Sequence, residues 1–89
     1  MKYALSIKPL VDKIFSKIAK KDKILMSKVA DKTEQIQRNP LKKYKFLKGD
    51  LKGLNRVHVA DHFVLIFHID HDNRMITIVQ FAHHDDAYN

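Results

Sequence analysis

The sequence predicts an α+β domain, a helix hairpin packed on a largely antiparallel four-stranded sheet in the order β-α-α-β-β-β. Three observations predict it. Apolar residues recur at helical spacing over residues 10–36. Short alternating or continuous apolar runs lie before and after that stretch. The whole chain has 89 residues, which suits a single domain spanning 1–89 with one thin core layer.

Each element has its own reason. Lys2 to Ile7 alternates, with Tyr3, Leu5 and Ile7 on one face, and reads as a first strand. Pro9 suits the first position of a helix, where its missing N–H costs nothing. Leu10, Val11, Ile14, Phe15 and Ile18 give that helix an apolar stripe, with Lys13, Lys17, Lys20 and Lys21 opposite. Asp22 suits the cap or first turn of a second helix. The second stripe is Leu25, Met26, Val29, Ala30, Thr33 and Ile36. Asn39-Pro40 ends it, because a residue before proline avoids the α region. Leu41 to Gly53 reads as the long irregular stretch, punctuated by Gly49 and Gly53. Leu54 to Val59 alternates, with Val57 and Val59 on one face and Arg56 and His58 on the other. Ala60-Asp61 is a tight turn, His62 to Ile69 a central apolar strand, and Asp70 to Asn73 a turn cluster. Met75 to Ala82 is the last strand, and His83 to Asn89 a polar tail.

Composition excludes several functions. There is no cysteine, so disulfides, thiolate metal sites and thiol catalysis are absent, which fits a cytoplasmic setting. No run approaches the roughly 18 apolar residues of a membrane span, and the N-terminus begins an alternating segment rather than a signal peptide. The formal net charge is +7, unevenly placed. Residues 1–57 hold 16 basic residues against 5 acidic ones; residues 58–89 hold Arg74 against 5 acids and all 6 histidines. A basic body is the electrostatic footprint of a polyanion binder; a solvated lysine-rich surface is the plain alternative. Between 41 and 53, Lys42, Lys43, Lys45, Lys48 and Lys52 interleave with Tyr44 and Phe46. That pattern suits contact with RNA backbone and bases. It equally suits a connector whose Tyr44, Phe46 and Leu47 tuck onto the helices.

Arg56 and His58 project from one face of their strand, away from the helices, and His62 follows just after the turn. A three-strand meander can return His84 and Tyr88 beside that hairpin. Together these residues suit metal-free cleavage of RNA. Histidine both accepts and donates protons near neutrality. RNA carries its own nucleophile, the 2′-OH. Two histidines supply base and acid, and Arg or Lys offsets the charge on phosphorus. The expected ends are a 2′,3′-cyclic phosphate or 3′-phosphate and a 5′-hydroxyl. The remaining histidines have plainer readings: His68 in the sheet, His71 solvated in a turn. His83-His84-Asp85-Asp86 reads as a frayed tail or as a metal patch, ranked below acid–base use.

Several segments resemble the RelE/ParE superfamily of toxins from type II toxin–antitoxin systems. They are the helix pair ending at Asn39-Pro40, Leu47-Lys48-Gly49-Asp50-Leu51-Lys52-Gly53-Leu54, Arg56-Val57-His58-Val59, and the strand ending Phe67-His68-Ile69. The tail Ala82-His83-His84-Asp85-Asp86-Ala87-Tyr88 resembles the family's Gly-His-Arg-x-x-x-Tyr ending. The resemblance covers essentially the whole chain through the order and spacing of these pieces.

The resemblance implies the same α+β fold and a cytoplasmic toxin. It further implies an mRNA endoribonuclease that works in the ribosomal A site without metal or cofactor. An antitoxin partner, acidic and helical, would form a toxin–antitoxin hetero-oligomer with it, with no membrane involved. Against the RelE type, Arg56 stands at a basic position, His58 replaces a Lys, and Phe63 and His84 each replace an Arg. Tyr88 matches. The departures resemble the YafQ type, which has histidines at the positions of His58 and His84 and an aromatic at Tyr88. Its Asp-Trp pair corresponds to His62-Phe63 or, shifted by one, places Asp61 opposite the Asp. An upstream His of that type is Lys45 here. The resemblance therefore implies His84 with either His58 or His62 as the acid–base pair. It implies Arg56, Lys45, Lys48 and Lys52 on phosphates, and Phe63 and Tyr88 orienting or stacking a base. Two other functions fit the same features: a ParE-type toxin that binds DNA gyrase, and a catalytically decayed RNA-binding protein.

Overall fold

Local signals place both helices where the sequence puts them. In the computed structural model, which describes residues 1–47 and 53–87, Pro9 opens α1 (Pro9–Lys21). Asp22 alone separates α1 from α2 (Lys23–Arg38), and its carboxylate accepts from the Leu25 amide at 3.0 Å. That bond satisfies one of the orphan N–H groups of the first turn. Asn39 closes α2: its amide donates to the Gln35 and Ile36 carbonyls, and its side chain to Gln35 again. Val11 and Phe15 of α1 and Val29, Thr33 and Ile36 of α2 are buried. Leu10 and Ala30, expected in the stripes, are exposed, Leu10 by 72%. In the same first turn Val11, not Leu10, faces the core.

The strands are β1 (Ala4–Ile7), β2 (Lys45–Phe46), β3 (Asn55–Val59), β4 (Phe63–Asp70) and β5 (Met75–His83). They form one sheet in the order β1-β5-β4-β3-β2. β1 runs parallel to β5, and every other pairing is antiparallel. The sheet thus has five strands where four were expected. The fifth, Lys45–Phe46, lies in the stretch read as irregular and forms by pairing with Arg56 and Asn55. Asn55 reinforces this edge through its side-chain amide, which donates to the Tyr44 and Lys45 carbonyls. Two residues make too short a run to show alternation, so only their partner reveals them. Gly53, at φ 90°, sits just before β3 in a conformation that favours glycine.

The bulge in β4·β5 decides which residues reach the core. The register runs Ile66↔Gln80 and then Phe67↔Ile78, leaving Val79 as the extra residue. Strict alternation would point Ile78 and Phe81 to opposite faces. With the bulge, both face the helices alongside Ile76. The helix-side core joins these to Val59, Leu65 and Phe67 and to the helix residues above. Phe15 meets Phe81 edge to face with centroids 5.5 Å apart. A smaller cluster of Leu47, Val64 and Ile66 lies on the other face.

The tail is also more ordered than expected. His84–Ala87 forms a short helical turn, α3, and the His84 amide donates to the His62 carbonyl at 2.6 Å. This bond ties the chain after β5 to the loop between β3 and β4. That loop runs Ala60–His62, with Ala60 in the left-handed region at φ 54°. No helix among the described residues is long and apolar enough to cross a membrane.

Candidate functional site: the histidine end of the sheet

Residues directly opposite each other on paired strands share a face. His58 pairs with Val64, which pairs with Ala82; Arg56 pairs with Ile66, which pairs with Gln80. Lys45 pairs with Arg56 on the other side. The face turned away from the helices therefore carries one row of Lys45, Arg56, Ile66 and Gln80 and another of His58, Val64 and Ala82. Its middle is dry, because Val64 and Ile66 are fully buried. Its rim is cationic and titratable.

α3 completes this rim. The His84 ring stacks on the His58 ring, with centroids 5.4 Å apart and planes 21° from parallel. Two imidazoles thus stand side by side at this end of the face. The bond from His84 to the His62 carbonyl holds α3 over the strand end and sets that approach.

His62 itself is placed differently. Its ring stacks on His83, with centroids 5.8 Å apart and planes 5° from parallel. His83 pairs with Phe63, on the helix side of the sheet. Asp85 links the two histidine pairs. One of its oxygens is 3.7 Å from His84 Nδ1 and the other 3.8 Å from His83 Nδ1. The Asp85 amide also donates to His83 Nδ1 at 3.4 Å.

The sequence-predicted residues separate accordingly. His58, His84, Arg56 and Lys45 come together at one end of the open face. His62 adjoins them through its carbonyl while its ring belongs to the His83 pair. Phe63 does not join them. It shares the helix-side face with Val59 and stacks on Phe81, centroids 5.3 Å apart and planes 6° from parallel, so its ring is occupied by core packing. Lys48, Lys52 and Tyr88 lie outside the described residues. His83 and Asp85, which the sequence offers as a frayed tail or metal patch, adjoin His62 and His84 here. Their adjacency to His84 in the sequence was the available signal, but which rings meet depends on strand register.

Of the aromatic residues in the 41–53 stretch, Tyr44 tucks inward. Its hydroxyl donates to the Asn39 carbonyl at 2.9 Å and its ring stands edge-on to Phe67. Burial pushes its phenol pKa above the ordinary value. Leu47 is buried, while Phe46 is 66% exposed. At the opposite end of the sheet, His71 is not merely solvated: it shares a 2.9 Å hydrogen bond with the Tyr3 hydroxyl. His68 is exposed on the open face opposite Thr77, away from the His58–His84 pair. Among the described residues, no group of three or more His, Asp or Glu side chains is arranged to hold a metal ion.

Comparison with known proteins agrees with this architecture. Residues 5–88 match the family model described as the ParE toxin of the type II toxin–antitoxin system parDE. A Methanocaldococcus jannaschii protein with the provisional name toxin RelE4 is 40% identical over 86 residues, 97% of this chain and 90% of that protein. An uncharacterized Methanosarcina mazei protein is 41% identical over 86 residues, 97% of this chain and 99% of the other. Among solved structures, the YoeB/ParE toxin from Agrobacterium tumefaciens superposes with a TM-score of 0.80 at 15% identity, covering 91% of this chain and 98% of that one. The free state of an E. coli RelE toxin mutant, with two arginines changed to alanine, gives 0.79 at 11% identity, covering 98% and 88%. The YoeB–YefM complex from Staphylococcus aureus gives 0.78 at 18% identity, covering 94% and 99%. The chain belongs to the ParE toxin family of type II toxin–antitoxin systems, within the RelE/ParE superfamily.

Proposed function

We propose that this toxin is an endoribonuclease that cleaves mRNA by attack of the RNA's own 2′-OH, with His58 and His84 as the acid–base pair. The observation that carries the reading is the 5.4 Å stacking of these two rings on the face that also bears Arg56 and Lys45. One imidazole takes the 2′-OH proton as the oxygen attacks phosphorus. The other gives a proton to the departing 5′ oxygen. The P–O5′ bond breaks as the P–O2′ bond forms, leaving a 2′,3′-cyclic phosphate and a 5′-hydroxyl. Arg56 and Lys45 offset charge on the non-bridging oxygens. Asp85 lies beside His84, outside the reacting atoms. Acid–base catalysis by two histidines needs no metal or cofactor.

The ribosomal A site is the proposed setting, where mRNA is presented single-stranded. A cognate antitoxin is the proposed partner, in keeping with the toxin–antitoxin complexes among the structural relatives. An acidic antitoxin segment would neutralise the +7 chain and cover the histidine end.

A second reading has its own observation: the matching family model is that of ParE, which supports a toxin that binds DNA gyrase. Induced expression separates the two. Mapping RNA 5′ ends during growth arrest should show 5′-hydroxyl ends accumulating within coding regions. Arrest with intact mRNA and blocked DNA supercoiling would establish the gyrase reading instead.

A further inference from the structure

β2 pairs only with Asn55 and Arg56, so among the described residues no strand covers the outer edge of Val57–Val59. That edge faces α2 across a groove. One end, about 290 Å³, is bounded by Lys28, Asp31, Lys32, Gln35 and His58. The next section, about 300 Å³, shares Lys32 and Gln35 and continues to Asn39, Lys42 and Tyr44. The two sections adjoin along α2, with Lys32 and Gln35 lining both. From Lys28 to Asn39 the groove follows eleven residues of α2, roughly 16 Å at the helical rise.

Its chemistry is one-sided. Lys28, Lys32 and Lys42 line it, against Asp31 as the one acid among the described residues of its walls. Its floor is apolar, with Val57, Val59 and Ile36. Lys42 already holds its ammonium 5.7 Å from the Tyr44 ring centroid. At the other end stands His58, one of the two rings proposed above to act on the phosphodiester. We infer that the α2–β3 groove is a track for single-stranded RNA, gripping the strand beside the cut through Lys28, Lys32 and Lys42. This inference rests on the endoribonuclease reading and extends it to a surface distinct from the open sheet face. Polyanion binding is favoured because the cations are strung along the groove, as a phosphate backbone requires, and because the groove leads to His58.

The test is RNA binding by the purified full-length chain as a function of salt. The probe is a fluorescent 12-nucleotide RNA with 2′-O-methyl riboses, which lacks the nucleophile and so cannot be cleaved. For a single strand, log K falls with log salt by about 0.7 for each phosphate neutralised. Each of Lys28→Gln, Lys32→Gln and Lys42→Gln should reduce the slope by about 0.7, and the triple variant by about 2. Lys and Gln have similar helix propensity, so folding of the two α2 variants should hold. Lys13→Gln with Lys17→Gln on α1 is the control and should leave the slope unchanged. A triple variant with the wild-type slope and affinity overturns the track. So does a triple variant that keeps RNA binding but loses an acidic peptide such as a glutamate 16-mer, because the groove would then be a protein-docking site. Wild-type protein that cleaves RNA while the lysine variants bind normally removes the track alone. Wild-type protein that binds no RNA also overturns the track, while the nuclease reading is decided separately by cleavage in a translating system.

Discussion

The two faces of one sheet use similar strands for different ends. On the helix side, Val59, Leu65, Phe67, Ile76, Ile78 and Phe81 are all buried against the two helices. On the other side, among the described residues, Leu47, Val64 and Ile66 are the buried apolar cluster, and Arg56, His58, Lys45 and Gln80 surround them. β4 supplies residues to both, with Leu65 and Phe67 on one face and Val64 and Ile66 on the other. The helix face therefore carries the larger share of the core. The open face carries its polar groups at an exposed rim around a buried apolar floor. Stability and chemistry should be separable by mutation, and four predictions test that separation.

The largest stability effect belongs to the helix face. Phe67→Ala removes a fully buried ring that meets Tyr44 edge-on, and should cost about 3–5 kcal/mol. Denaturant unfolding measures it. A cost below about 1 kcal/mol would mean that this face is not the stabilising core. Ile66→Val on the open face, which removes one methyl group from an equally buried side chain, should cost about 0.5–1.5 kcal/mol by the same measurement.

The cap between the helices comes next. Asp22→Ala should cost about 1 kcal/mol, since it strands the Leu25 amide that the carboxylate now satisfies. Asp22→Asn should recover most of it. If both variants cost the same, the side-chain bond is not what stabilises the hairpin.

The smallest effects are in pH. The Asn73 side chain and amide, donating to Asp70, lower its pKa. Hydrogen bonding from Lys2 lowers that of Glu34. A lowered carboxyl pKa in the fold gives stability that is complete above the unfolded value, near 4, and is lost as pH falls through the folded value. Burial raises the Tyr44 pKa, so its contribution is complete below the unfolded value, near 10, and is lost as pH rises through the folded one. Thermal unfolding across pH should therefore show a plateau that falls at both limits. Asp70→Asn should flatten the acid limb and Tyr44→Phe the alkaline limb. A limb left unchanged by its substitution would remove that group as its cause.

The residues legible in the sequence were those whose structure is set locally. Pro9, Asp22 and Asn39-Pro40 mark helix ends through φ restriction and capping, which depend on immediate neighbours. Alternation placed Arg56 and His58 on the face away from Val59. What was not legible depends on pairing between distant segments. β2 exists only against β3, and the Val79 bulge shows only against β4. The divergence of Phe63 from His58 follows from register: Phe63 lies opposite Val59, not opposite His58. The partition of histidines into His58–His84 and His62–His83 likewise depends on where α3 docks. Tyr44 resembled a nucleic-acid contact because its sequence neighbours are lysines, but its ring packs on Phe67, 23 positions away.

The central claim is that the open face cuts RNA through His58 and His84 without contributing much to the fold. It is tested most directly by comparing wild type, His58→Ala and His84→Ala for both thermal stability and RNA cleavage in a translating system. Both rings are at the exposed rim, so each variant should unfold within about 0.5 kcal/mol of wild type. Each should lose roughly 100- to 10,000-fold in cleavage, the usual contribution of a positioned acid or base. Folded variants that cut RNA at the wild-type rate would contradict the account.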